Sequence, residues 1–235
     1  MSLIPENRRR DPVLLFSLSC MLALCWLLAE LVSVETIEQV FSESGPIERV
    51  SALYLILAAL ALAGDMIRSR SLKSWHLAVL VLAAGLRELD WDKAFTESGI
   101  LSLRLYSGAA PWSQKIAGAL VLVLLVWAGL RLLQRNLGHW LRGLRDKEVW
   151  AWLMAVTLAL YAVAKSLDGL GRKLAPWGIE LSDWANSAAG RSEEAMELIG
   201  AILILQVVGL NLLRRSPAEL SQPPADPSPP LSSAS

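Results

Sequence analysis

Ser113-Gln114-Lys115-Ile116-Ala117-Gly118-Ala119-Leu120-Val121-Leu122-Val123-Leu124-Leu125-Val126-Trp127-Ala128-Gly129-Leu130-Arg131-Leu132-Leu133 has no charged side chain between Lys115 and Arg131. As a helix the run is about 30 Å long, enough to cross the hydrocarbon core of a bilayer. Five more apolar runs of similar length stand at about 12–34, 47–67, 72–89, 148–167 and 194–213. With 54% hydrophobic residues, 19% charged residues and ten tryptophans, the chain has the composition of a protein whose solvent is lipid. The expected fold is all-α: an integral membrane bundle of six transmembrane helices over 12–215, with a short tail at 1–11 and a Pro/Ser-rich tail at 216–235. That last segment holds six of the eleven prolines and reads as disordered.

Six crossings put both termini on one side, and charge selects which. The first tail, the 65–75 and 131–149 loops and the last tail with the preceding Arg214-Arg215 hold 13 of the 22 Lys and Arg but only seven of the 22 Asp and Glu. By the positive-inside rule these segments are cytoplasmic. The opposite side keeps fifteen acids against nine bases, so a zero net charge conceals an acidic outward face. Trp75, Trp140 and Trp150 fall near the expected inner boundary, and Trp91, Trp112, Trp177 and Trp184 near the outer one. The first run follows Asn7-Arg8-Arg9-Arg10 like a signal peptide. Its apolar stretch is too long for one, and Glu30-Leu31-Val32 offers no small-residue cleavage site, so it is expected to stay as a span. Balanced charge gives no footing for nucleic-acid binding.

The three outward hairpins repeat a pattern. Odd spans close on Ala29-Glu30-Leu31, Arg87-Glu88-Leu89-Asp90 and Lys165-Ser166-Leu167-Asp168. Even spans open on Glu48-Arg49-Val50-Ser51-Ala52-Leu53, Gln114-Lys115-Ile116-Ala117-Gly118-Ala119 and Glu197-Leu198-Ile199-Gly200-Ala201-Ile202. Small residues there let helices approach closely. The reading is three pseudo-repeated hairpins; the competing one is that helix ends are generally polar.

Charge clusters most densely at Arg87-Glu88-Leu89-Asp90-Trp91-Asp92-Lys93, where a continuing helix would set Arg87 beside Asp90 and Glu88 over Asp92. Glu193 and Glu194 both neighbour Glu197; the bland reading of the first two is attraction to a helix N-terminus. Glu30, Arg87 and Glu197 are expected about a turn inside the boundary, where charge is costly unless it pairs or lines a wet cavity. Glu48 follows Gly45-Pro46 and reads equally as a helix-start acid and a site carboxylate. Glu30, Glu48, Arg87, Glu88, Asp90, Lys165, Asp168, Glu194 and Glu197 thus reach one leaflet from five helices. They form either one polar pocket or separate Arg87–Asp90 and Lys165–Asp168 ion pairs. The links 93–112 and 169–190 are long and carry Phe95, Tyr106, Trp112, Trp177 and Trp184, as surface segments or as lids over the pocket.

The residues present narrow the chemistry. His76 and His139 fall at the cytoplasmic boundary, away from the acids and without ligand-spaced partners, which argues against a zinc site and a Ser-His-Asp triad. This also separates the chain from ceramidase-like membrane hydrolases. No Gly-x-Ser-x-Gly elbow, phosphate loop or nucleotide fingerprint is present. No cofactor is implied, although carboxylates leave open a bound Ca²⁺ or Mg²⁺. Cys20 and Cys25 read as packing residues. Metal-free acid/base chemistry would use Glu88 or Glu197 for proton transfer and Arg87 as an anion clamp.

Ser44-Gly45-Pro46-Ile47-Glu48, the 87–93 segment and Glu193-Glu194-x-x-Glu197-Leu198-x-Gly200-Ala201 resemble signatures of a group of bacterial polytopic membrane proteins with no assigned activity. The resemblance implies an inner-membrane setting with the acidic face in the periplasm. The expected function is binding or transport of a small cationic or polar ligand or lipid head group. The alternatives are a membrane-embedded acid/base enzyme and a scaffold for a partner protein. The partners implied are the bilayer and that small ligand; the oligomeric state is open.

Overall fold

A computed structural model describes residues 18–22, 24–25, 40–41, 45–96 and 98–214. Glu30, most of the first expected span and both tails lie outside these residues. The described chain is helical, with no strand among the described residues: α1 Pro46–Arg68, α2 Trp75–Glu88, α3 Trp91–Phe95, α4 Leu103–Ser107, α5 Trp112–Arg145, α6 Val149–Leu167, α7 Leu170–Leu174 and α8 Asp183–Arg214. Short 3₁₀ turns occupy Leu72–Ser74 and Ala175–Trp177. Four helices, α1, α5, α6 and α8, are long and apolar enough to cross a membrane.

α1 begins where its sequence says it should. Gly45 is extended at the cap, Pro46 takes the first turn, where its missing N–H costs nothing, and Glu48 follows in the favourable field of the N-terminus. Its buried positions Ile47, Val50, Tyr54, Ala58 and Leu62 recur every three or four residues, forming one stripe that Leu55 widens. The stripe meets α2 on one side and α8 on the other. α8 also packs along α6, while α5 touches α2 and α6 more lightly. The five helices are therefore neighbours in a closed ring, in the order α1, α2, α5, α6, α8.

Lipid gives apolar helices little reason to leave it, so close packing and polar links must hold the ring together. Small residues supply the packing. A Cβ added at Gly85 of α2 would come within 3.1 Å of the Leu55 Cβ of α1, and one at Gly200 of α8 within 2.8 Å of the Tyr161 ring of α6. Polar links add to it: His76 Nε2 and Asn136 Oδ1 lie 2.9 Å apart between α2 and α5. Trp140 Nε1 donates to the Ala151 carbonyl at 2.9 Å between α5 and α6. Gln206 Nε2 donates to Ser19 Oγ at 2.7 Å, and the Tyr54 hydroxyl donates to the Ser19 carbonyl, so helical residues 18–22 dock against α8 and α1.

Three boundaries differ from expectation. α5 does not stop near Leu133 but runs to Arg145, because 131–145 has no proline and keeps an apolar period through Leu137, Trp140, Leu141 and Leu144. α2 has only 14 residues, the start of its expected run being spent on the 3₁₀ turn. α8 begins eleven residues before the expected 194, since its polar opening 183–193 is helical too.

Candidate functional site

α2 ends at Glu88, and Asp90 adopts a left-handed φ of 51°. The expected helical continuation is therefore broken. Asp90 turns away from Arg87 and pairs with Lys93 at 2.7 Å. The expected Arg87–Asp90 pair does not form, whereas Lys165–Asp168 does, at 2.5 Å across the end of α6. Lys165 hydrogen-bonds Asp168 and holds its carboxyl below the ordinary value, against a smaller opposing effect of burial. Lys173 Nζ donates to the Lys165 carbonyl at 2.7 Å, tying α7 back to this corner.

At this end of the ring the helix termini enclose a half-open cavity of about 280 Å³. Glu48 of α1, Arg87 and Glu88 of α2 and Lys165 of α6 line it, with Glu193, Glu194 and Glu197 of α8. Asp90, Lys93 and Asp168 complete the wall from the adjoining turns. Every expected site residue within the described chain thus lines one cavity, and four of the five ring helices contribute. Glu88 lies in electrostatic reach of Glu197, Arg87, Glu48 and Lys165. Tyr161 of α6 packs against Gly200 of α8 and lies within electrostatic reach of Glu88 and Glu197.

Seven carboxylates and three basic side chains line this wall. The glutamates are half-buried, whereas Arg87, Lys93 and Lys165 are exposed. No three acidic, histidine or cysteine side chains among the described residues are grouped to hold a metal ion. The carboxylates are spread round a wall, an arrangement suited to a ligand larger than a bare ion.

Two lining residues were absent from the expected set, Glu193 and Lys93. Glu193 had been explained by a helix N-terminus, but α8 starts at Asp183, so Glu193 and Glu194 stand nearly three turns inside it and that explanation fails. Lys93 enters because the chain turns back at Asp90. Among the described residues of the two long links, only Lys93 lines the cavity. Trp91, Phe95, Trp112, Trp177 and Trp184 are exposed and none lines it. The first link is instead fastened beside α5, where Leu105 is fully buried, the Tyr106 hydroxyl donates to the Ile100 carbonyl at 2.8 Å, and Lys115 Nζ donates to the Gly108 carbonyl at 2.8 Å.

No protein-family model, curated protein or solved structure matches the chain.

Proposed function

We propose that the chain is a six-span protein of a bacterial inner membrane whose acidic, periplasm-facing cavity binds a small organic cation or a cationic lipid head group. The observation that supports this reading is the cavity itself: half-buried glutamates from α1, α2 and α8 line it together with three exposed basic side chains. A half-buried acidic wall raises the local concentration of cations. At about 280 Å³ the space fits a small ammonium compound. The dispersal of the carboxylates favours such a ligand over a bare Ca²⁺ or Mg²⁺. Arg87, an exposed residue of the lining, then supplies a partner for an attached phosphate or carboxylate, as a zwitterionic head group would require.

A second reading, acid/base catalysis, rests on Glu88 and Glu197 lining the same cavity from α2 and α8. The two are separated by what leaves the site: a binder or carrier releases its ligand unchanged, and an enzyme releases a product.

The test is native mass spectrometry of the gently purified full-length protein, wild type beside Glu88→Gln/Glu197→Gln, with ethanolamine and tetramethylammonium as added probes. The expected result is retention of a small cation or zwitterionic lipid by the wild type alone, with both proteins folded. Equal retention by both, or none in either, would overturn the proposal.

A further inference from the structure

The basic end of α5 presents a second surface, far from the cavity and not used by it. At 100° per residue, Arg131, Arg135, Arg142 and Arg145 fall within an arc of about 80°. Arg131 lies 5.8 Å over the Trp75 ring. Arg135, Arg142 and Arg145 are exposed, with no ion pair to a carboxylate within 4.0 Å among the described residues. A second arc faces the rest of the ring: Asn136 meets His76, His139 stacks on Trp150 at 4.9 Å, and Trp140 bonds to Ala151.

The third arc is apolar. Leu133, Leu137 and Leu141 are 55%, 39% and 52% exposed and share one side of the helix beside the arginines. They continue, at spacings of three and four, the exposed row Val123, Val126 and Leu130 of the membrane-crossing half. One unbroken apolar stripe therefore passes from the uncharged half of α5 onto its arginine-bearing half. At 34 residues the helix is about 50 Å long, well beyond a ~30 Å hydrocarbon core. Its last turns consequently lie at head-group level or beyond, where a leucine row in water would be unfavourable.

We propose that this face of α5 seats an anionic phospholipid of the adjacent leaflet, with an acyl chain along the Leu133–Leu137–Leu141 row and its phosphate held by Arg142 and Arg145. Charge complementarity and continuity with the lipid-facing stripe select this occupant. Arginines one turn apart can share a phosphate, and their planar groups match its oxygens. A zwitterionic lipid offers the same chains, but its ammonium group cancels the attraction.

The test offers the full-length protein in detergent an equal mixture of phosphatidylglycerol and phosphatidylcholine and reads the ratio retained by native mass spectrometry. An arginine near a membrane surface favours anionic lipid about fivefold. The wild type should therefore prefer phosphatidylglycerol at least about fivefold, and Arg142→Gln/Arg145→Gln should bring the ratio close to one. Arg68→Gln/Arg70→Gln removes the same charge from the α1–α2 turn and should leave the preference intact. For the wild type alone, raising the salt from 50 to 500 mM should erase most of it, about as screening shortens. A wild type without preference, a preference that resists salt, a ratio unchanged in the α5 variant, or equal loss in the turn variant would each overturn the seat.

Discussion

The closest approach in the bundle can be tested by filling it. An Ala Cβ at position 200 would lie 2.8 Å from Tyr161 Cε2 and 3.0 Å from Cζ, about 0.6 Å inside an ordinary 3.4 Å contact. Either the tyrosine ring or α8 must move. Overpacking of this kind costs about 1–3 kcal/mol, while replacing a helical glycine by alanine returns up to about 1 kcal/mol of helix propensity. Gly129 of α5 supplies the reference, since nothing lies within 4 Å of its added Cβ. Subtracting the effect of Gly129→Ala from that of Gly200→Ala cancels propensity and leaves the clash, about 1–3 kcal/mol. Gly200→Leu should cost more than either. The assay is reversible SDS unfolding of the full-length protein from mixed micelles, followed by tryptophan fluorescence. Because position 200 lies one turn along α8 from Glu197 of the cavity wall, Gly200→Ala should also weaken retention of the cavity's ligand. If Gly200→Ala and Gly129→Ala unfold alike, α6 and α8 are not as close as described and the packing argument fails.

Three further outcomes follow from other parts of the bundle. With Cys20 and Cys25 replaced by alanine, cysteines placed at Ser44 and Ser187 should react with an impermeant maleimide from the periplasm and one at Ser216 should not; the reverse pattern would invert the orientation. Trp140→Phe removes the hydrogen bond to Ala151 and should lower stability by about 1 kcal/mol, measured by the same unfolding; an unchanged midpoint would mean the bond contributes nothing. Asp168→Asn should lower stability by at most about 0.5 kcal/mol at neutral pH, because its pair with Lys165 is partly exposed. The folded value of Asp168 is depressed, so its contribution is present above the unfolded value and disappears as pH falls through the folded one. A gap between wild type and variant that widens toward acid would contradict that sign.

Some of this was legible in the residues. Helix class and the apolar runs follow from composition and length alone. The site set follows from the cost of placing charge at helix ends, and Glu48, Glu88 and Glu197 line one cavity because the ring brings those ends together. Less local features escaped. The left-handed turn at Asp90 exchanges an expected Arg87 partner for Lys93, and a helical template cannot foresee where its own hydrogen bonding stops. The apolar run ends near the first arginines of α5, although arginine is a good helix former and the period runs on. Glu193 was misjudged for the mirror-image reason: the polar start of α8 looked like a loop, so a residue well inside the helix looked like its beginning.

The shortness of α2 has a consequence for the lipid around it. Fourteen residues rise only about 21 Å, against a hydrocarbon core near 30 Å. If α2 crosses the bilayer as its apolar run leads one to expect, its charged end stops short of the far side of such a core. The bilayer would then have to thin where α2 faces acyl chains, which would draw water toward Glu88 and Asp90 and open a sideways approach for a molecule already dissolved in the leaflet. Bilayer thickness would in that case control the site: shorter acyl chains would relieve the mismatch, and longer ones would press hydrocarbon against its polar rim.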